Sequence, residues 1–302
     1  MAYTSGDLIL DDHYNDFASD VNDVWGTGTG DYGYGQSSVL STVSPGATVT
    51  ATQWSTLLSR ISNSASHQGS SITSISSPST GDTISAYAAL SSNITTIRTN
   101  RLNAAANTGA STPDTASNTT DWTNELSCTC TWTWPGGDEI RYFFNAGGYI
   151  EMYVDHGSGG NSKDQDWDSL CSTAGVYRLY ASTGESTWSA GATPTTNLTS
   201  TGYYDLSTSY TTMFQKPSSS GTYSSNFLQY RFLVNAAHGD GRGNNGNTIT
   251  GQIRLVDAGA DDFNDTVENT TTFYFRYNAP STTYLTNVWG NPTVTPGTPS
   301  VS

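Results

Sequence analysis

The sequence predicts a mainly β protein of α+β type, an antiparallel β-sandwich of jelly-roll-like form preceded by about three helices. Two observations carry that prediction. The apolar period is helical over the first hundred residues and changes to two after the linker, and Gly/Ser/Asn-rich segments separate the alternating runs. Composition agrees: only 12% of residues are charged and Ser and Thr supply 88 of 302, so a thin core is expected. Eight Trp, 18 Tyr and nine Phe provide its apolar area, which keeps the chain on the folded side of the disorder boundary.

The first helix is read from Asp11 to Trp25, where Tyr14, Phe17, Val21 and Val24/Trp25 recur every three or four positions and acids open the first turn. Gly26-Thr-Gly-Thr-Gly-Asp stops it. The second runs from Thr52, as N-cap, to Ala65, with Trp54, Leu57, Leu58 and Ile61 in one stripe. Asp82 to Ala105 makes the third, in which Tyr87, Leu90, Ile94 and Ile97 form a seam that packs on its own domain or on another subunit. Residues 106–123 hold almost nothing apolar and read as a linker.

Leu126 to Trp134 alternates with Leu126, Cys128, Cys130, Trp132 and Trp134 on one face and Ser/Thr on the other, so one face is buried and one is wet. Further strands are predicted at Glu139–Asn145, Gly148–Asp155, Val176–Tyr180, Tyr203–Phe214, Asn226–Asn235, Thr248–Asp257 and Thr271–Asn278. The division that follows is a helical anchoring region (1–105), the linker (106–123), a sandwich (124–286) and a Pro/Thr-rich arm (287–302). Three prolines keep that arm out of a helix or a central strand, leaving a frayed end or an arm laid on a neighbour.

A net charge of −15, with 11 basic residues against 26 acidic, argues against nucleic acid and anionic membrane as partners. No apolar run reaches membrane-spanning length, and Met1 to Asp7 has neither a cationic start nor a signal-like apolar stretch, so synthesis in a cytoplasm without general export is expected. Three cysteines, two of them alternating in one strand, match neither a disulfide framework nor a zinc pattern.

Chemistry is sparse. His13, in the first helix beside acids, and His67, a cation following the second helix, have structural readings. His156 with Asp155, Asp164, Asp166 and Asp168 is the sharpest candidate, a hard-cation loop, yet Asp164-Gln-Asp-Trp-Asp168 lacks the glycine and the terminal glutamate of an EF-hand. The stretch His238 to Gly246 reads as a hairpin tip and has no phosphate-loop ending. Acid pairs such as Asp138/Glu139 and Asp261/Asp262 are neighbours on a strand or turn and point apart. Nucleophile-elbow, zincin and Walker motifs are absent, so no enzyme, no cofactor and no resident metal is expected. Binding is better supplied: Tyr149 and Tyr153 share the face opposite Ile150, Met152 and Val154, and with Tyr203 and Tyr204 form a candidate glycan or partner surface. Asn-x-Thr sequons, as at Asn93 and Asn197, follow from composition and imply no glycosylation.

Three segments together resemble virion structural proteins of tailed bacteriophages that infect aquatic bacteria, including cyanobacteria. They are Trp25-Gly-Thr-Gly-Thr-Gly-Asp-Tyr-Gly-Tyr-Gly-Gln36, Val49-Thr-Ala-Thr-Gln-Trp-Ser-Thr-Leu-Leu-Ser-Arg-Ile with Ser66-His-Gln68, and Gly137 to Glu151, read as strand, Asn-Ala-Gly-Gly turn and strand. The resemblance covers about the first half of the chain. It implies a non-enzymatic particle component of the tail, baseplate or fibre apparatus, made in the host cytoplasm and exposed after lysis, and it supplies no catalytic residue to carry over. Its partners would be copies of itself, other virion proteins and a host surface glycan. Phe17, Trp25, Trp54, Leu57, Tyr87, Leu90 and Trp289 are then the expected assembly contacts, with the sandwich projecting and the Pro-rich end clasping an adjacent subunit. A capsid decoration or vertex protein is the alternative, and a carbohydrate-binding protein or glycoside hydrolase the second.

Overall fold

A computed structural model describes residues 11–79, 86–104, 107–236, 246–258 and 266–302. Helix α1 (Asp11–Trp25) buries Tyr14, Phe17, Val21, Val24 and Trp25, the stripe its spacing predicts. Helix α2 (Ala51–Gln68) starts two residues earlier than the Thr52 cap suggests: Thr50 accepts from the Gln53 amide while Gln53 accepts from the Thr50 amide, and Gly69 closes the other end in the left-handed region. Helix α3 (Tyr87–Thr99) buries Leu90, Ile94 and Ile97, but it is shorter than predicted: Asn100 caps it and residues 100–104 are turn and loop, while 82–85 and 105 lie outside the described residues. The three pack on one another through edge-on and tilted rings, Tyr14 against Trp54 at 5.4 Å and Phe17 against Tyr87 at 5.1 Å. Arg98 ties α3 to α1 through Asp20 and Asp23.

Two antiparallel sheets follow. Sheet I contains β1 (Asn107–Ala110), β2 (Asp114–Asn118), β4 (Tyr149–His156), β5 (Tyr177–Leu179), β6 (Gly184–Ser186) and β11 (Thr271–Pro280), in the order β1-β11-β4-β5-β6 with β2 also on β11. Sheet II contains β3 (Glu125–Thr133), β7 (Thr196–Asn197), β8 (Thr211–Pro217), β9 (Phe227–Val234), β10 (Thr248–Val256), β12 (Thr293–Pro296) and β13 (Ser300–Val301), in the order β12-β3-β10-β9-β8-β7 with β13 also on β3. Alternation decides which side faces in: β3, β9 and β10 bury every second residue. The inner faces meet in a β-sandwich-like core. Trp132 of β3 sits edge-on to Phe275 of β11 at 5.8 Å, and Tyr177 of β5 lies 5.9 Å from Phe232 of β9. Gly251 makes room for this in the middle of β10, since a Cβ there would stand 2.8 Å from the Trp132 ring and 3.2 Å from Met152 Sδ.

Residues Glu139–Asn145 are not a strand. They belong to helix α4 (Gly137–Asn145), and Asn145-Ala-Gly-Gly148 turns a helix into β4 instead of joining a hairpin. Ile140, Phe143 and Phe144, at i, i+3 and i+4, are all buried, and Asp138 and Glu139 lie in the first turn where acids suit a helix. This helix sews the helical region to the sandwich. Arg141, buried, donates to the Thr27 carbonyl at 2.9 Å, to the Tyr32 carbonyl and to Asp138; Asn145 donates to the carbonyls of Asp31 and Gly33. Gly35, at φ +73°, passes so close to the Tyr142 ring that a Cβ would lie 2.4 Å from it. His67 of α2 bonds the Ala146 carbonyl at 2.9 Å and Gln68 donates to the Tyr34 hydroxyl at 2.8 Å. The three distinctive segments of the sequence therefore meet at one junction.

Other expectations are corrected in the same way. The linker range holds β1, β2 and a bridge from Trp122 to Val267. The C-terminal range lies on its own chain: Trp289 is fully buried, and β12 and β13 pair with β3 at the sheet margin, which tolerates Pro296 as an interior strand does not. The range Tyr203–Phe214 opens with a 3-10 turn at Tyr203–Asp205 and becomes a strand only at Thr211. The acidic stretch after His156 is helix α5 (Ser162–Ala174), capped by Asn161, whose side chain accepts from the Lys163 and Asp164 amides.

Candidate functional site

The outer face of sheet I carries the most organised set of polar side chains. Along β4, Tyr149, Glu151, Tyr153 and Asp155 point away from the core, opposite Ile150, Met152 and Val154. Register then aligns Glu185 of β6, Arg178 of β5, Glu151 of β4 and Arg276 of β11 in one row across four strands. Arg178 Nε donates to Glu151 Oε1 at 2.6 Å and its Nη1 to Glu185 at 3.2 Å, while Arg276 donates to the other oxygen of Glu151. The Glu151 side chain is 1% exposed although it stands on the outer side, because the two guanidinium groups close over it.

Tyrosines flank this row on both sides. Tyr153 and Tyr274, cross-strand partners, stack at 4.6 Å and 3°, and Tyr149 leans on Tyr180 at 4.7 Å. Arg276 lies 5.7 Å from the Tyr153 centroid and Arg178 6.0 Å from that of Tyr149. Tyr180 donates to Glu185 at 2.9 Å. Burial pushes the Tyr180 hydroxyl up, and its bond to Glu185 adds to this. Burial works against the Arg178 cation, but its hydrogen bonds to Glu151 and Glu185 outweigh that, and its pKa moves up. The face thus offers half-buried aromatic rings for stacking and charged groups fixed in position. Those are the means by which proteins hold sugar rings or the polar rim of a partner.

Tyr149 and Tyr153 lie on this face as their spacing predicts. Tyr203 and Tyr204 do not: Tyr203 is buried and stacked on Phe144 at 4.6 Å, and Tyr204 donates to Asn145 at 2.6 Å within the helix–sandwich junction. Phe17, Trp25, Trp54, Leu57, Leu90 and Trp289 are buried within this chain and Tyr87 packs against them, so they are its own core and not an outward contact set. Apolar periodicity marks burial without saying whether chain or neighbour provides it.

The cation constellation is split. His156 is buried, with Nδ1 2.8 Å from Thr271 Oγ1 and Nε2 3.4 Å from Asp164 Oδ1. Asp164 completes the α5 capping box and accepts from the Glu268 amide at 2.8 Å. Asp155 is exposed on the opposite side of β4, and Asp166 and Asp168 belong to α5. Among the described residues no three His, Cys, Asp or Glu gather as a metal-binding group. The three cysteines are free and buried, and burial pushes the Cys128 thiol up to about 12. Most of the His238 to Gly246 stretch and both Asp261 and Asp262 fall outside the described residues. An open groove of about 460 Å³ between α1 and α3 has its cations engaged: Arg98 and Arg101 stand 5.0 and 4.1 Å from the Tyr32 ring.

Sequence reasoning missed Arg178, Glu185, Tyr274 and Arg276. Each sits at an outward position of its own strand, but only register makes them neighbours of Glu151. Among the described residues no helix is long and apolar enough to cross a membrane. The chain matches no protein-family model, no curated protein and no solved structure.

Proposed function

We propose that this chain is a non-enzymatic structural subunit of a tailed-phage virion, of the tail, baseplate or fibre apparatus. It uses the outer face of sheet I to contact a host surface glycan or a neighbouring virion protein. The observation that carries the reading is the Glu185–Arg178–Glu151–Arg276 row, with Glu151 covered at its centre, between two tyrosine pairs. It is a binding platform without a nucleophile and base beside it. The acidic surface and the shortage of lysine suit a particle that must avoid anionic cell surfaces before it reaches its host. Partners on this reading are copies of the chain, other virion proteins and the glycan; nucleic acid and membrane insertion are not among them.

The strand order gives the reading its finer form. Early and late strands lie side by side in both sheets, β3 beside β10 and β4 beside β11, as in jelly-roll-like sandwiches, although β8, β9 and β10 follow one another within one sheet. The helices form the brace on which that sandwich stands. Light scattering of the full chain, paired with a glycan array, tests the proposal. A defined oligomer or a retained glycan, weakened by Tyr153→Ala with Tyr149→Ala, is expected. A monomer at every concentration that retains no glycan removes the reading.

A further inference from the structure

Lysine occurs twice in 302 residues, at Lys163 and Lys216, against nine arginines, and both lysines are 1% exposed. The outer faces make their ion pairs with arginine. In the buried space between α5 and the end of sheet II the chain uses a titratable amine instead. Lys163 stands in the first turn of α5 with Nζ 2.5 Å from Asp257 Oδ2, and each side chain is 1% exposed. Both ends are held. Asn161 caps α5 and donates to the Thr266 carbonyl at 3.0 Å, and the Asp257 amide, directly after β10, donates to the Asn124 carbonyl at 2.8 Å.

A third group completes the arrangement. Asp166 lies three residues along the same face of α5 and accepts from Ser218 Oγ at 2.5 Å. Burial raises its pKa, the Asp257 charge raises it further, and Ser218 and Lys216 pull the other way. Trp167, fully buried in the same helix and packed on Trp122 at 5.1 Å, contributes apolar surface. A buried ion pair alone does not explain this choice. Arginine matches a carboxylate better and never discharges, and removing two charges from water costs several kcal/mol per ion. Lysine differs by being able to give up its proton and become a nucleophile.

From this juxtaposition we infer that Lys163 and Asp257 are the site of an intramolecular isopeptide bond. One proton passes from the ammonium to the carboxylate, leaving a neutral amine and a carboxylic acid. The Nζ lone pair attacks Cγ of Asp257, forming the C–N bond as the carbonyl π pair moves onto oxygen. The carbonyl re-forms as the hydroxyl leaves, taking up the proton that nitrogen sheds, so that amine and acid become amide and water. Nothing is oxidised and no co-reactant is consumed. Asp166 is a positioning residue: on the same face of α5 and in the electrostatic field of Asp257, its charge favours the uncharged acid on Asp257. The bond removes two buried charges and fastens α5 to the end of β10, and the inference stands independently of the proposed function.

The intact mass of the full chain in denaturant decides it. A mass one water below that of the sequence is expected, with trypsin failing to cut after Lys163 and a digest yielding one branched peptide that contains Lys163 and Asp257. The full sequence mass, or ordinary cleavage after Lys163, overturns the inference. Lys163→Arg and Asp257→Ala should each restore the missing water; its continued loss in either variant places the dehydration elsewhere and also overturns it. Asp166→Asn should slow conversion, seen as a mixture of the two masses that shifts with time, and Asp166→Glu should recover it.

Discussion

The outer faces of the two sheets rest on the same alternation and end in different chemistry. On sheet I, two arginines bury a glutamate between tyrosine pairs. On sheet II, Arg254 bonds Glu125 at 2.7 Å and Gln229 at 2.7 Å, Gln229 bonds Gln215 at 2.6 Å, and Arg231 bonds Gln252 at 2.5 Å, with threonines filling the outward positions of β3. Glu125 remains 24% exposed where Glu151 is 1%. Period-two patterning therefore fixes which side is wet but not what a wet side does. A face that buries a carboxylate under two guanidinium groups between aromatic pairs is a preformed platform, whereas one that spreads hydrogen bonds over amides and hydroxyls is a solvated cover.

Both sheets also close a margin with a segment of almost no apolar content, β1 and β2 on sheet I and β12 and β13 on sheet II. The largest expected effect tests whether the second of these is integral. Trp289→Ala should cost about 3–5 kcal/mol, the range for emptying a fully buried large aromatic, read from the urea midpoint at constant slope. A loss below about 1 kcal/mol would mean that residues 287–302 are a detachable arm, as their prolines alone suggest.

Glu151→Ala breaks the comparison of faces directly. It leaves Arg178 and Arg276 facing each other over an apolar gap, and about 2 kcal/mol should be lost, since both guanidinium groups keep some access to water. Glu125→Ala on sheet II should cost less than about 1 kcal/mol by the same measurement, because its partner retains Gln229. Equal losses would erase the distinction between the two faces.

How far such contrasts are legible in the sequence depends on range. The stripes of α1 and α2 and the alternation of β3 are local signals repeated enough times to be unambiguous. Helix α4 spans only nine residues, and Ile140, Phe143 and Phe144 are equally good strand formers, so the glycines on either side read as hairpin punctuation. In α5 the apolar positions Trp167, Leu170, Cys171 and Ala174 do have helical spacing, but three interleaved aspartates suggest a cation loop more loudly. Tyr149, Glu151 and Tyr153 are visibly on one face. Their partners Arg178, Arg276 and Tyr274 lie more than twenty residues away, and no local pattern encodes which strand stands beside which.

Acid should separate the inner side of sheet I from its outer side. Burial pulls the His156 imidazole below its ordinary 6.5, while the bond to Asp164 and the charges of Asp164, Asp168 and Asp155 push back without reversing it. His67, at the helix junction, shifts the same way through burial, opposed by its bond to the Ala146 carbonyl. Well above pH 6.5 both rings are neutral in either state and their contribution is complete. As pH falls below it the unfolded chain takes up protons that the folded chain refuses, and stability declines. Urea midpoints should drop from pH 7 toward pH 5, less steeply in His156→Gln; an unchanged slope would show that the ring charges freely in place.

The smallest effect concerns whether the stacked tyrosines act as a unit. Tyr153 and Tyr274 face each other at 3° with Arg276 near the Tyr153 ring, and burial raises the Tyr153 hydroxyl pKa. A double-mutant cycle of Tyr153→Ala and Tyr274→Ala should return a coupling of about 0.5–1.5 kcal/mol, the range for aromatic pairs beyond their area. Sheet II has a matched control in Gln229 and Gln215, a neutral cross-strand amide pair, whose coupling should lie near the lower end of the cross-strand range, about 0.2–1 kcal/mol. If the two couplings are equal, the rings of sheet I are held by the sheet beneath them and not by each other. Any partner that stacks on them could then separate the pair at little cost, and the platform would be adaptable where its geometry now argues that it is fixed.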